Sequence, residues 1–306
     1  MAETSTETAG FCQSLGVRIV TIHRPNANGP DRQWPEGVTP LAVERCLAVI
    51  EARDPLTLPA DRLAVANAPV LALALSEGGD ASGPEIHGVA WRLGTAEGPQ
   101  VDVRVKPGLR RRGLGRALLS VVADARESVW AGCDAAHPRV RRFLAHQGFE
   151  LAGIVFHQRW DGELADVPPA FASATVVEPS DTEMVESLVR KASADTWPRQ
   201  EVWADESEDG FRRIAWRGEQ PAGGLLAHRE HDAWAVDALA VLPESRGAGL
   251  GRALAVQLMR HAAASGLGVT LRVAQDNATA LSWSQKLGFW TYRTWAMYRK
   301  PAPGGS

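Results

Sequence analysis

The sequence predicts an α+β protein built from two consecutive domains, each with a mixed, mostly antiparallel sheet flanked by helices. Three observations predict this class. The chain has 306 residues, enough for two domains that each bury a core of their own. Strand-like and helix-periodic segments are mixed along the chain. The same order of segments occurs twice, in a repeat much longer than the repeats of solenoid proteins.

The repeat is clearest in one motif. Residues Val105–Leu118 read VKPGLRRRGLGRAL, and residues Val241–Leu254 read VLPESRGAGLGRAL. Further along the chain, Gly148-Phe149 recurs as Gly288-Phe289 at a slightly longer spacing. Two copies of one domain are therefore predicted.

Each copy is predicted to contain the same elements, from apolar alternation for strands and apolar 3.6-residue spacing for helices. The first copy has predicted strands at residues 17–22, 70–75, 86–93, 101–105, 129–133 and 151–160, and predicted helices at residues 41–52, 115–125 and 140–146. The second has predicted strands at residues 175–177, 211–216, 224–227, 235–241, 269–274 and 290–298, and predicted helices at residues 182–191, 251–264 and 278–286. We therefore predict domains at residues 14–160 and 174–300, joined by a linker at residues 161–172 that contains two consecutive prolines.

Composition narrows the class of protein. The formal net charge is −3, which does not favour binding to nucleic acid or to an anionic membrane. Apolar runs such as Val70–Leu75 are far shorter than the roughly 20 residues of a membrane-spanning helix. The acidic N-terminal segment MAETSTETAG is interpreted as a frayed tail and not as a signal peptide. The three cysteines are widely spaced and predict neither disulfides nor a metal site. We therefore expect a cytoplasmic monomer or homodimer that uses no metal.

A glycine-rich turn between a strand and a helix is the motif that carries chemistry. In both copies a strand-like run precedes a proline, and Arg-x-x-Gly-x-Gly then leads into a helix. Glycines let the backbone N–H groups converge, and the helix N-terminus adds partial positive charge, so the turn can bind a pyrophosphate. One such turn is a weak signal, but two in the same context are a strong one. The predicted site residues are Arg110, Arg111, Arg112, Gly113, Gly115 and Arg116 in the first copy, and Arg246, Gly247, Ala248, Gly249, Leu250, Gly251 and Arg252 in the second.

The pattern V-x-P-x-x-R-x-x-G-x-G-x-A-L resembles the central motif of the GCN5-related N-acetyltransferases (GNAT). The second copy also carries Asn277-Ala-Thr-Ala280 and Lys286-Leu-Gly-Phe289, which are similar to the late N-x-x-A and K-x-G-F segments of that family. The resemblance covers nearly all of both halves and extends to two-domain members such as mycothiol synthase. It implies that the glycine-rich loops bind the pyrophosphate of acetyl-CoA. It also implies that Asn277 contacts the cofactor. It also implies that the preceding strands hold the pantetheine arm, at Val103 and Val105 in the first copy and at Leu239, Ala240 and Val241 in the second.

The resemblance implies transfer of an acetyl group from acetyl-CoA, or of another acyl group from its CoA ester, to the amine of a small molecule. An antibiotic, an amino sugar or a specialised metabolite is the expected acceptor. The alternative is a non-catalytic acyl-CoA-binding or sensing protein. The first copy has His137-Pro138 where the second has Asn277-Ala278. We therefore expect the second copy to be catalytic and the first to be a cofactor-binding or structural domain.

Acetylation of an amine needs a group that removes a proton from the ammonium. Asp237 is the only acid between Trp234 and Leu242, and some family members carry a carboxylate at this place, so Asp237 is either a general base or a solvent-facing strand acid. His228 and His231 flank the preceding turn and are the alternative bases. Many family members place a tyrosine, which protonates the leaving thiolate, where this chain has Ser284, so Ser284 is a candidate acid, although a weak one.

Acceptor specificity is expected in two irregular segments, residues 24–40 and 193–210. The second segment contains two tryptophans, Trp197 and Trp203, and five acids, which form either a solvated loop or a surface that recognises an amine. The acids are Glu201, Asp205, Glu206, Glu208 and Asp209. The chain has 11 tryptophans, most of them in the second half, where they either fill the core or line an acceptor pocket.

Overall fold

The structure is a computed structural model, and it divides into two compact units. One unit comprises residues 1–152 with 296–306, and the other comprises residues 153–295. The predicted domain limits differ, because they place residues 153–160 with the first copy and residues 296–300 with the second. The structure describes residues 6–12, 16–23, 34–54, 65, 68–76, 84–95, 98–123, 126–168, 175–179, 182–193 and 210–302.

The first unit contains an antiparallel sheet whose strands β1 to β5 are neighbours in chain order. Strand β6 joins β5 in parallel, through Gln100 and Trp130. Helix α1 begins at Pro40, where the Thr39 hydroxyl accepts a hydrogen bond from the Ala42 amide and caps the helix. The elements are β1 (Thr6–Cys12), β2 (Val17–His23), α1 (Pro40–Ala52), β3 (Val70–Ser76), β4 (Glu85–Leu93), β5 (Gln100–Val105), α2 (Leu114–Val122), β6 (Val129–Asp134) and α3 (Pro138–His146).

The second unit repeats this arrangement. Its strands β8 to β11 are antiparallel neighbours, β12 joins β11 in parallel, and β12 pairs antiparallel with β7 over Val269–Ala274. The elements in chain order are β7 (Glu150–Trp160), β8 (Thr175–Val177), α4 (Thr182–Ala192), β9 (Phe211–Arg217), β10 (Gln220–Glu230), β11 (Ala233–Val241), α5 (Leu250–Ala264), β12 (Gly268–Ala274), α6 (Ala278–Lys286) and β13 (Trp290–Lys300). The predicted α+β class, with a mixed and mostly antiparallel sheet, is confirmed.

Both faces of the second sheet are covered by helices. Helix α5 packs through side chains such as Leu254 on the face that carries Leu225 and Val269. Helix α4 packs on the opposite face, against Leu226 and Ala238. Leu254 is fully buried, and a buried leucine of this kind stabilises the fold by roughly 1.5–3 kcal/mol. The alternation of strand residues between these faces decides which side chains reach the candidate site.

The expected frayed tail at residues 1–10 is wrong for Thr6–Gly10, which belong to the strand Thr6–Cys12. This segment forms β1 and pairs antiparallel with Val17–Ile22 of β2. It lacks a long apolar run, but its threonines and Phe11 favour extended backbone, and β2 provides an edge to pair with. In the described part of the chain, no helix is both long and apolar enough to cross a membrane.

Candidate active site

A β-bulge in the second unit positions Asp237. Leu226 of β10 pairs with Ala238 of β11, and the next residue, Ala227, pairs with Val236. Asp237 is therefore the extra residue of the bulge, which lets its side chain leave the regular alternation of the strand. The residue is 9% exposed, so the strand buries a carboxylate that needs a partner.

His228 is a partner of this carboxylate. Its Nδ1 lies 2.8 Å from Oδ1 of Asp237, while about a third of the His228 side chain remains exposed, 34% against 8% for Asp237. His228 pairs with Ala235 in the β10–β11 ladder, so the contact is a diagonal one between neighbouring strands. The structure thus brings together two residues that the sequence offered as alternative bases.

The described strands β4 and β5 of the first unit have no equivalent of this pair. Its β4–β5 ladder runs without a bulge from Gly88 opposite Val105 to Leu93 opposite Gln100. The ladder of the second unit begins with Gly223 opposite Val241, which corresponds to Gly88 opposite Val105 in the first unit. His228 lies five residues after Gly223, and the residue five after Gly88 is Leu93. Asp237 has no counterpart, because it is the residue that the bulge adds.

Strands β11 and β12 separate beside this pair. Their parallel ladder is limited to Ala233–Ala235 with Gly268–Thr270, whereas β11 stays paired with β10 as far as Val241. The predicted pantetheine-binding residues Leu239, Ala240 and Val241 lie on this diverging part of β11. The first unit shows the same separation, since β5 pairs with β6 only at Gln100. An opening at the same point of both sheets is the feature of the fold that could admit an extended ligand.

The glycine-rich loops have the conformation that the sequence predicts. Gly247 and Gly249 adopt left-handed φ angles of 80°, and α5 begins directly after Gly249. A Cβ atom added at either glycine would meet nothing within 4 Å. The glycines are thus required by backbone conformation, and the space in front of the loop is open. The loop and the first amides of α5 form a site suited to an anion.

The loop of the first unit keeps this shape with a non-glycine residue. Arg111 has a φ of 67° and Gly113 a φ of 84°, at the places of Gly247 and Gly249. A left-handed arginine is strained, and such strain is often retained where a functional site needs it. The first copy has therefore kept the left-handed backbone of the loop at both positions.

The motif arginines, which the sequence analysis assigned to phosphate, are tied to the protein. Arg110 donates from Nε to the Val105 carbonyl at 3.1 Å, and Arg246 donates in the same way to the Val241 carbonyl at 3.1 Å. Arg246 also donates to the Ala192 carbonyl at the end of α4. Their structural role in both copies is to fasten the loop to the end of the preceding strand.

A buried cluster of charged and polar groups lies behind the loop of the first unit, and the sequence analysis missed it. Arg110 and His137 both contact Oδ2 of Asp54, at 2.8 and 3.2 Å. Burial alone raises the pKa of Asp54, but the hydrogen bonds from His137 and Arg110 outweigh it and hold that pKa below its ordinary value. His137, which replaces the family asparagine, thus faces Asp54 inside the unit.

Asn277, which precedes α6, and Ser284 within α6 were predicted to act at the site. The Asn277 side chain caps the helix by accepting from the Ala280 amide at 3.0 Å, and the residue is exposed. Ser284 is fully buried, and its hydroxyl donates to the Leu281 carbonyl at 3.1 Å. A catalytic role for Ser284 stays a prediction, and this burial does not favour it.

Other predicted residues are spread out or lie outside the described residues. His231 lies in the exposed turn between β10 and β11. Trp234 belongs to the core, where its ring contacts those of Phe211 and His261, whereas Trp290 is exposed.

The cofactor candidates Val103, Arg112, Gly115, Arg116, Ala248, Leu250, Gly251 and Arg252 lie on the strands, loops and helix starts described above. Residues 24–33 and 194–209, which include Trp197, Trp203 and the acidic stretch, lie outside the described residues.

Comparison with known proteins agrees with this geometry. The family model described as "Acetyltransferase (GNAT) family" matches residues 182–289, within the second copy. A mycothiol acetyltransferase of Frankia alni is 30% identical over 272 residues, which cover 76% of this chain and 80% of the relative.

Two solved structures share the fold. A GCN5-related N-acetyltransferase from Sphaerobacter thermophilus has a TM-score of 0.67 and 16% identity, and covers 90% of this chain and 98% of its own. A tandem GNAT protein from the clavulanic acid biosynthesis pathway has a TM-score of 0.65 and 20% identity. The match covers 95% of this chain and 100% of that protein's chain. The chain belongs to the GNAT family of acetyltransferases, in its tandem form, and is an N-acetyltransferase that transfers an acetyl group from acetyl-CoA to an amine.

Proposed function

We propose that the second copy performs the acetyl transfer on a small-molecule amine, with the His228–Asp237 pair accepting the proton. The observation that carries this proposal is the pair itself, which the bulge builds in the second unit and which the β4–β5 ladder of the first unit lacks. An antibiotic, an amino sugar or a specialised metabolite is the acceptor class we propose, and the cytoplasm is the proposed location.

The residues of the second unit fit acetyl-CoA. The left-handed glycines and the start of α5 provide convergent amides for the pyrophosphate, with Arg252 nearby in the first turn of the helix. The part of β11 beyond Ala235, where β12 turns away, is available for the pantetheine arm. Asn277 retains an amide group that its capping bond does not use. Bound acetyl-CoA supplies the thioester on which the amine acts.

The His228–Asp237 pair accounts for deprotonation of the amine. An ionised carboxylate only accepts hydrogen bonds, so the imidazole donates to Asp237 from Nδ1. Nε2 then carries the lone pair and can take a proton from the acceptor ammonium. Asp237 holds the ring in that tautomer and stabilises the imidazolium that forms. We therefore assign the base role to His228 and a positioning role to Asp237, which refines the prediction that Asp237 acts alone.

Release of the thiolate does not depend on Ser284 in this proposal. A thiol resembling that of cysteine has a pKa near 8.5, so its anion leaves without much help near neutral pH. Ser284 is fully buried and bonded to its own helix. A solvent water or the imidazolium of His228 is available to return the proton.

A mycothiol-type acceptor is a narrower candidate for this chain. The name of the Frankia alni relative supports it. The replacement of the family tyrosine by Ser284 does not favour a close functional match. The broader class of small-molecule amines is therefore the one we propose.

Paired loop variants test which copy performs the transfer. Gly249→Val places a β-branched residue at a φ of 80° in the second loop, and Gly113→Val does the same at 84° in the first. Release of free thiol from acetyl-CoA in the presence of an amine panel should be lost in Gly249→Val and retained in Gly113→Val.

Gly266→Val is the matched control. Gly266 also has a left-handed φ, of 66°, and open space around its Cβ position, but it lies beyond the far end of α5. It should lose stability without losing turnover at low temperature. Turnover that survives Gly249→Val and disappears in Gly113→Val would reverse the assignment of the two copies.

A further inference from the structure

The opening between β11 and β12 has a charged residue on each strand. Ala235 and Thr270 are the last paired residues of the two strands. Asp237 lies two residues beyond Ala235, and Arg272 lies two residues beyond Thr270. Parallel strands advance by about the same distance per residue, but Asp237 is the extra residue of the bulge in β11, so it lies about one residue less deep than Arg272 at the opening.

The side chains of Arg272 and His228 belong to the same face of the sheet. Val269, Leu271 and Val273 point into the core beneath α5, so the alternate residue Arg272 points to the opposite face. Leu225 and Ala227 of β10 also belong to that core, which places His228 on the same face as Arg272. This is the face that α4 covers further along the strands.

Arg272 is a cation on this face of the sheet. It is exposed, and none of the carboxylates that the structure describes forms an ion pair with it. The nearby Arg159 differs, because it is held by Asp161 and Asp232. An exposed guanidinium of this kind is well suited to bind a carboxylate or phosphate through two hydrogen bonds.

The titratable and charged neighbours of Arg272 belong to β7, β13 and β10. Arg272 pairs in register with His157 of β7. The pKa of His157 is lowered to about 4 by burial, and the positive charges of Arg272 and Arg293 add to that effect. His157 is therefore neutral near pH 7, and its ring meets that of Tyr292 edge-on at 6.1 Å. Glu230, at the exposed end of β10, is an acid within electrostatic range of Tyr292.

We propose that the acceptor amine carries an anionic group, a carboxylate or a phosphate, and that Arg272 binds this group while the amine faces His228. The inference rests on the proposed function, since it uses the His228–Asp237 pair to locate the amine. Arg272 then determines specificity and takes no part in proton transfer.

Matched amine pairs test the inference. The probes are O-phosphoethanolamine against ethanolamine, glucosamine 6-phosphate against glucosamine, and β-alanine against β-alaninamide, with thiol release from acetyl-CoA as the readout. In at least one pair, kcat/KM should be at least about tenfold higher for the anionic member, the size typical of a charge-assisted hydrogen bond. The phosphate and carboxylate pairs show which anion is preferred.

Arg272→Gln should lower the ratio of anionic to neutral kcat/KM by roughly tenfold to hundredfold, and Arg272→Lys should lower it less. Arg142→Gln is the control, because Arg142 is an exposed arginine of α3 in the first unit, and it should leave the ratio unchanged. Equal kcat/KM values within every pair, or an equal loss for both members in Arg272→Gln, would overturn the inference and leave the proposed function intact.

A wild-type protein that releases no thiol with any probe would count against the proposed function. Calorimetry then decides the inference separately, by titrating the same pairs into CoA-saturated protein. Tighter binding of the anionic members, lost in Arg272→Gln, would support it. Binding that does not distinguish the members of any pair would contradict it.

Discussion

His228 and Asp237 are joined by a 2.8 Å hydrogen bond across neighbouring strands, and a one-residue bulge brings them together. The bulge removes Asp237 from the regular ladder between Ala227–Val236 and Leu226–Ala238. Without the bulge the strand would continue as in the first unit, where Leu93 faces Gln100 in an unbroken ladder. One inserted residue thus separates the copy that carries the His228–Asp237 pair from the copy whose β4–β5 ladder lacks it.

The loop of the first unit is expected to bind a CoA species without turnover. Arg111 keeps the left-handed conformation of the loop at the cost of strain. Calorimetry should therefore give close to two CoA equivalents per chain, or one that survives Gly249→Val. Loss of all binding in Gly249→Val, with the fold intact by circular dichroism, would show that the first loop is structural only.

Asp54→Asn should destabilise the first unit. The pKa of Asp54 lies below its ordinary value of 3.8, so its extra stabilisation is present above that value and is lost as the pH falls through the lower pKa. We expect a loss of about 1–3 kcal/mol in the free energy of unfolding at pH 7, and a much smaller loss in acid. Denaturant titrations at both pH values measure this difference.

Glu85→Gln is the control for that experiment. Glu85 forms its ion pair with Lys106 at the surface, where the glutamate side chain is 60% exposed, so its loss should cost less than about 1 kcal/mol. A penalty for Asp54→Asn no larger than that of the control would contradict the assigned role of the buried cluster.

His157 should make the second unit sensitive to acid. Its pKa is lowered to about 4 in the folded state, from 6.5, so the unfolded chain binds the extra proton first as the pH falls between these values. The free energy of unfolding should therefore decrease in that window, by up to about 3 kcal/mol. In His157→Gln this part of the pH dependence should disappear. A denaturation profile that His157→Gln leaves unaltered would be inconsistent with a neutral, buried His157.

Ser284→Ala should have little effect on turnover. The hydroxyl is buried and bonded to the Leu281 carbonyl, and its loss leaves no buried donor unsatisfied. We expect kcat to change by less than about threefold, together with a loss of stability below about 1.5 kcal/mol. A hundredfold fall in kcat would return Ser284 to the catalytic machinery.

Much of the fold could be predicted because periodicity and glycine position report on local structure. The helix predicted at residues 278–286 has these same limits, since the Asn277 side chain caps its first turn. Strand β10 extends beyond the predicted residues 224–227 at both ends. Its first residues pair with β9 and its last residues, which are polar, pair with β11. Thr6–Gly10 was interpreted as part of a tail because its pairing with β2 is a tertiary effect.

The candidate site was less accessible to prediction. Both loops could be found because Gly113 and Gly249 are required by left-handed backbone. The bulge at Asp237 could not be found from the sequence. The connection between β4 and β5 differs in length from the one between β10 and β11, so a one-residue insertion in β11 does not stand out when the two copies are aligned. The contact between Asp54 and His137 joins residues far apart in the sequence, and nothing in either local pattern indicates it.

The most direct test of the central claim is the kcat for thiol release in Asp237→Asn, His228→Gln and the double variant, with an amine that the wild-type protein acetylates. If His228 is the base and Asp237 positions it, each single variant should lower kcat by about 10²–10⁴-fold. The double variant should be little worse than the His228→Gln variant, because the two residues act as one unit. CoA affinity should stay within about twofold of wild type, since the loop lies elsewhere. Full activity in either single variant would contradict the account.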